Sequence, residues 1–217
     1  MAGGGRAVEV APERLAGWYA RFAERHGGIA RTTLDPVDVR VVAEDGSTAT
    51  VTVAFGRLSV DGGERPGLAV DELVEHALRP RRIGLLLVRL GGHSVGIAAD
   101  GVVEVSRTDS RHVRGRTAAG GWSQRRFARR RDGQARQALD AATEDAMEVL
   151  GTRVAELDAV VLGGDHRALE TLCAERGLAP VFAIAEPRVL DIGEPRRAVL
   201  DEAARRARAV EIVLRDR

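Results

Sequence analysis

Lysine is absent from the 217 residues, so all 33 basic side chains are arginines. Exclusive arginine reads as the mark of a GC-rich coding sequence and carries little functional weight. There is one cysteine, Cys173, which excludes an internal disulfide and any zinc site built from clustered cysteines. Leu169 and Leu172 precede it in a helical apolar pattern, so a buried structural thiol is expected. Aromatics make up only 3% of the chain, so alanine, valine and leucine must build the core. No apolar run approaches the roughly 20 residues that a membrane helix needs. The longest, Ile83 to Val88, is strand-sized, and the N-terminus lacks the apolar core of a signal segment. A cytoplasmic chain with no membrane partner is expected. Net charge is only +1, which excludes little. The remaining composition, 44% hydrophobic and 30% charged, fits one large globular domain or two small ones.

The pattern along the chain divides near Arg81. Before it, Leu15, Trp18, Tyr19 and Phe22 recur at steps of three and four and predict a helix over Pro12–His26. Val37–Val42 and Thr48–Phe55 alternate and are rich in β-branched residues, with Asp45-Gly46 between them, so they predict a hairpin. A short helix follows from Val70 to Leu78 and closes at Pro80. Residues 1–80 therefore read as a small helix–hairpin–helix unit, and 81–217 as a second unit.

In the second unit Ile83–Leu90, Ser94–Ala98 and Val102–Ser106 read as strands, with turns at Gly91-Gly92 and Asp100-Gly101. His93 and His166 are placed at turns. A long helix is expected from Ser123 to about Leu157, with Asp132-Gly133 as a candidate kink. Ala159–Leu162 is a strand, and Asp165 an N-cap for a helix through Glu175. Val181–Ala185 and Val189–Ile192 have strand length, Glu194–Ala209 is helical and Val210–Leu214 is a last strand. The fold class expected is α/β (α+β overall), a mixed β-sheet with flanking helices.

The chemistry is concentrated between Arg107 and Arg131, which holds nine arginines and one acid, Asp109. Asp132–Asp158 is by contrast mildly acidic. Such asymmetry matters for polyanion binding even when total charge is near zero. At its centre stand Gly120-Gly121, which let a backbone approach a ligand closely. Gln124 adds an amide that both donates and accepts hydrogen bonds. Arg125, Arg126, Arg129, Arg130 and Arg131 place five like charges in seven positions, which favours a polyanion over a solvated face. Arg111, His112, Arg114 and Arg116 extend the basic surface upstream. Trp122 has two readings, stacking on a base or packing on its own domain.

The run His112-Val113-Arg114-Gly115-Arg116, Gly120-Gly121, Gln124 and Arg126-Phe127-Ala128-Arg129-Arg130-Arg131 resembles the middle domain of archaeal and eukaryotic class-1 peptide-chain release factors. It is most similar to the actinobacterial branch of Vms-like release factors, which are peptidyl-tRNA hydrolases. The resemblance runs from Arg81 to the C-terminus. In the standard loop glutamine directly follows two glycines, whereas here Trp122 and Ser123 stand between Gly121 and Gln124. The resemblance implies Gln124 as the catalytic residue, Gly120 and Gly121 as shapers of the loop, and RNA contacts from the arginines, His112 and Trp122. It implies the ribosomal large subunit with its peptidyl-transferase centre, peptidyl-tRNA and ribosomal RNA as partners of a monomeric enzyme. No cofactor or metal is expected.

Two other classes stay open at the level of sequence. A nuclease on the same scaffold would cut the tRNA 3′ end. A metal-dependent one would want clustered acids at strand ends, and Asp100, Glu104 and Asp109 match that poorly. A non-catalytic RNA-binding module would need the arginines but not Gln124. No codon-reading motif is recognised in the first 80 residues.

Overall fold

The computed structural model describes residues 5–89, 91–110 and 123–217, with the backbone alone at 110, 123–132, 134 and 135. The chain divides into two units, Met1–Pro80 with Arg208–Arg217, and Arg81–Ala207.

The first unit is built on a wholly antiparallel sheet. Its strands are β1 (Arg6–Val10), β2 (Ile29–Leu34), β3 (Asp38–Ala43), β4 (Thr48–Thr52) and β5 (Gly63–Pro66), joined by β11 (Val210–Arg215) in the order β1-β11-β4-β3-β2-β5. The last strand therefore sits with the N-terminal residues rather than with 81–207, because it hydrogen-bonds between β1 and β4. Helix α1 (Leu15–Arg25) buries Leu15, Tyr19 and Phe22 against this sheet, and α2 (Asp71–Leu78) buries Leu73 and Ala77. Thr32 is buried and ties β2 to the approach of α2. Its hydroxyl donates to Gly67 O at 2.7 Å and accepts from Ala69 N at 3.1 Å.

Two carboxyls in this unit lie below their ordinary range. Asp45 is lowered first by the Ser47 backbone N–H and then by His26, and Glu72 first by the Arg65 guanidinium. Burial pushes the Tyr19 phenol up.

The second unit has a mixed five-stranded sheet, order β10-β9-β6-β7-β8. Its strands are β6 (Arg82–Arg89), β7 (Gly92–Ala99), β8 (Val102–Ser110), β9 (Ala159–Gly164) and β10 (Ala185–Leu190). β6, β7 and β8 pair antiparallel, while β6–β9 and β9–β10 pair parallel. Strand β6 is central, and its continuous apolar run is buried on both faces, as expected of a strand with helices on either side. On one face lies α3 (Ser123–Val149), with Ala142, Ala146 and Val149 in a core with Leu86, Val88, Val95 and Ile97. On the other lies α6 (Arg197–Arg208), whose Leu200 comes so close to β7 that a Cβ at Gly96 would meet it at 2.9 Å. Helices α4 (His166–Cys173) and α5 (Ala179–Ala183) complete the unit.

Several expectations need correcting. Val181–Ala185 is not a strand: most of it lies in α5, which carries a proline in its first turn. The long helix stops at Val149, and a 3-10 turn follows over Gly151–Glu156. Cys173 is exposed, at the last position of α4, while Leu169 and Leu172 take the buried face. β1, β2 and β5 were not anticipated from the sequence.

Candidate nucleic-acid interface

The β7–β8 hairpin turns on Asp100 and Gly101, both with positive φ, at 49° and 83°. That is the backbone a tight two-residue turn between twisted strands requires. β8 runs to Ser110, and α3 begins at Ser123. The basic stretch thus begins on the outer strand of the sheet, runs through residues 111–122 and ends in the first turns of α3.

What holds α3 to that hairpin is a cluster of charges beneath its second half. His93, on β7 rather than at a turn, is only 1% exposed. Its Nε2–H donates to Asp145 Oδ2 at 2.8 Å. Arg107 on β8 donates to the other oxygen of Asp145 at 3.3 Å and to Glu148. Ser94 and Thr108 link β7 to β8 through their hydroxyls at 2.6 Å. A buried imidazole with a charged partner is a directional peg, since leaving it unpaired would cost about 1–3 kcal/mol. The alanines at 142 and 146 let the helix lie close enough to be pegged. Sequence reasoning missed this cluster. Its one legible signal was the three-residue step from Asp145 to Glu148, which puts both acids on one helix face. One consequence is that Arg107, counted among the nine arginines of the basic stretch, is already paired within the fold.

Arg111, His112, Arg114, Arg116, Gly120, Gly121 and Trp122 lie outside the described residues. Gln124, Arg125 and Arg126 lie in the first turn of α3, and Arg129, Arg130 and Arg131 in the turns after it. The first four N–H groups of a helix have no intrahelical acceptor and carry the positive end of its dipole. The first turn of α3 holds no acid to neutralise that end. Chemically, such an end suits an anion or a developing oxyanion.

A cleft of about 580 Å³ opens at the carboxyl ends of the parallel strands β6 and β9. Ala138 and Leu139 of α3 form one wall, and Asp165 to Ala168 the other. Asp165 accepts from Arg167 N at 2.9 Å and Ala168 N at 3.4 Å, the N-cap read from the sequence. Gly164 permits the close crossing there, since its φ is 105° and a Cβ would lie 2.0 Å from Val88 O. His166 is the exposed first residue of α4.

Glu104 pairs with Arg82 at 3.3 Å, and Asp100 accepts from Arg81 N at 3.2 Å, so these acids serve the fold. Among the described residues no group of three or more His, Cys, Asp or Glu is placed to share a metal ion. No described helix is long and apolar enough to cross a membrane.

Among solved structures the chain is similar to a protein titled only as archaeal, at 15% identity and a TM-score of 0.41. The match covers 75% of this chain and 48% of that one. It is also similar to an archaeal translation termination factor, aRF1, at 13% identity and 0.43, covering 89% and 69%. A third is Pelota of Archaeoglobus fulgidus, at 14% identity and 0.29, covering 95% and 65%. The chain thus spans about half the length of the first and just under two thirds of the third. No curated protein matches it. The model of one family, the Actinobacteria/chloroflexi VLRF1 release factor, matches residues 81–213, well over half of the chain and all of the second unit. The chain belongs to that release factor family, whose work is translation termination or ribosome rescue.

Proposed function

We propose that this protein is a codon-independent peptidyl-tRNA hydrolase that frees nascent chains from stalled ribosomes or large subunits. The observation that carries the reading is the match over 81–213, which contains Gly120-Gly121 and Gln124 at the head of an arginine-rich helix. The substrate is an ester on the terminal ribose of a tRNA. It is already activated, so no strong base is needed when water is held in line with the carbonyl carbon. An amide does not titrate near neutral pH. Gln124 therefore acts by holding that water and by offering its own backbone N–H, one of the unsatisfied donors of the helix end, to the oxyanion or the leaving 3′-oxygen. The leaving oxygen takes a proton from the neighbouring 2′-hydroxyl or from solvent.

Arg125, Arg126, Arg129, Arg130 and Arg131, with Arg111, His112, Arg114 and Arg116 upstream, neutralise phosphates of tRNA and ribosomal RNA around the peptidyl-transferase centre. Trp122 stacks on a base. Specificity comes from access, because only a vacant site exposes the ester. No codon reading is required, and none is legible in the first 80 residues. The protein works as a cytoplasmic monomer without a metal or cofactor.

The test uses purified large subunits carrying labelled peptidyl-tRNA, with the protein or its Gln124→Ala variant added and both products resolved on a gel. Released peptide with intact tRNA, lost in the variant while binding is kept, is the expected result. Shortened tRNA, with the peptide left on a few excised 3′ nucleotides, would mean a nuclease. No cleavage by either protein, with equal binding, would leave an RNA-binding module.

A further inference from the structure

One flank of α1 carries a composition unlike the rest of the chain. It holds one of the two tryptophans, and the only tyrosine and one of four phenylalanines lie on the same helix. Trp18 stacks on Phe22 with ring planes 8° apart and centroids at 5.5 Å, and Phe22 meets the ring of His26 at 4.5 Å. The spacing of 18, 22 and 26 makes this one continuous stripe. Beside the stripe runs a groove of about 560 Å³, closed below by Val8 and Leu214 of the adjacent strands β1 and β11. Arg6, Arg21 and Arg25 line it, all three exposed. None of the three forms an ion pair among the described residues, whereas Arg31, Arg65 and Arg208 of the same unit each hold a glutamate. The acid on the groove's lining is Asp216.

Unpaired guanidiniums that share a concave surface repel one another and concentrate positive potential, so an anion is the occupant that lowers the energy. The half-buried indole adds a second demand, a flat partner with a π-face. An acidic peptide meets the first demand and not the second. A nucleic-acid duplex hides its base faces from such a partner. A single strand meets both, with phosphates at the arginines and a base against the tryptophan. We propose that this groove is a second RNA site, separate from the basic segment, that holds a few nucleotides of single-stranded RNA. It rests on its own residues and not on the hydrolase reading.

The test is fluorescence of the full chain bearing Trp122→Phe, in which Trp18 is the only tryptophan, titrated with a short oligouridylate. Saturable quenching is expected. Arg21→Gln with Arg25→Gln should weaken it about tenfold and reduce the slope of log affinity against log salt by about 1.4, two single-strand phosphate contacts. Arg129→Ala with Arg130→Ala should leave the Trp18 signal in place. An unchanged melting temperature of the groove variant excludes misfolding as the cause. Absent quenching, quenching indifferent to Arg21 and Arg25, or equal quenching by a polyglutamate peptide would each overturn the proposal. Peptide release by wild type and Gln124→Ala is read separately, so either inference can fail alone.

Discussion

From Ser123 to Arg131, α3 carries five arginines and no acid, while from Asp132 to Val149 it carries five acids and one arginine. The acidic half is held by the fold: Ala142, Ala146 and Val149 are buried, and Asp145 and Glu148 grip His93 and Arg107. The basic half sets Arg125 against Arg129 and Arg126 against Arg130, each four residues apart, which disfavours a helix by a few tenths of a kcal/mol per pair. Packing of the second half pays for the helical start of the first, since extending an existing helix is far easier than nucleating one. About 30 Å of helix separates Gln124 from the Asp145 peg, at 1.5 Å per residue.

Three substitutions break or sharpen this contrast. Leu150 is fully buried just beyond the packed half. Leu150→Ala should cost about 2–5 kcal/mol in denaturant unfolding. A loss below 1 kcal/mol would mean that the packed half is not what secures the helix. Asp145→Asn should cost about 1–3 kcal/mol, because His93 stays buried with a weaker partner. If Asp145→Asn melts like wild type, His93 is not a peg. Arg129→Glu should move the two properties in opposite directions. It should stabilise the helix by about 0.2–0.5 kcal/mol through Arg125, while RNA affinity and its salt dependence both fall. Parallel loss of stability and binding would show that the basic half serves the fold.

The smallest effect belongs to the first unit. Arg65→Met should cost under about 1 kcal/mol at neutral pH, as expected for a half-exposed pair. Because Glu72 is lowered in the folded state, this contribution is complete above its unfolded value and disappears as pH falls through the folded one. A cost that persisted in acid would assign Arg65 a packing role instead.

Much of this was legible wherever local chemistry alone decides structure. The unbroken apolar run of β6, the cap at Asp165 and the glycine turns at Gly46 and Gly101 each follow from one physical cause, and each is present. β11 was read as a strand, but its pairing with the unread β1 spans the whole chain, Arg6 with Leu214, which no local pattern reveals. β5 is Gly-Glu-Arg-Pro, with no strand-forming residue to mark it. The error at Val181 to Ala185 was one of period, since five apolar residues do not distinguish a strand from a buried turn of helix. Cys173 was judged by its neighbours Leu169 and Leu172, but it falls off their face of α4. The candidate loop was legible as composition and motif. The His93–Asp145 peg was not, because it needs the hairpin register that brings His93 and Arg107 together under α3.

The most direct test pairs two readouts on Gln124→Ala: the single-turnover rate of peptide release at saturating protein, and the melting temperature. If the basic half of α3 acts and the acidic half holds, release falls by about 10²–10³-fold, the loss typical of one preorganised oxyanion donor or water ligand, with melting unchanged. Release within a few-fold of wild type would contradict the account and take the amide out of the chemistry.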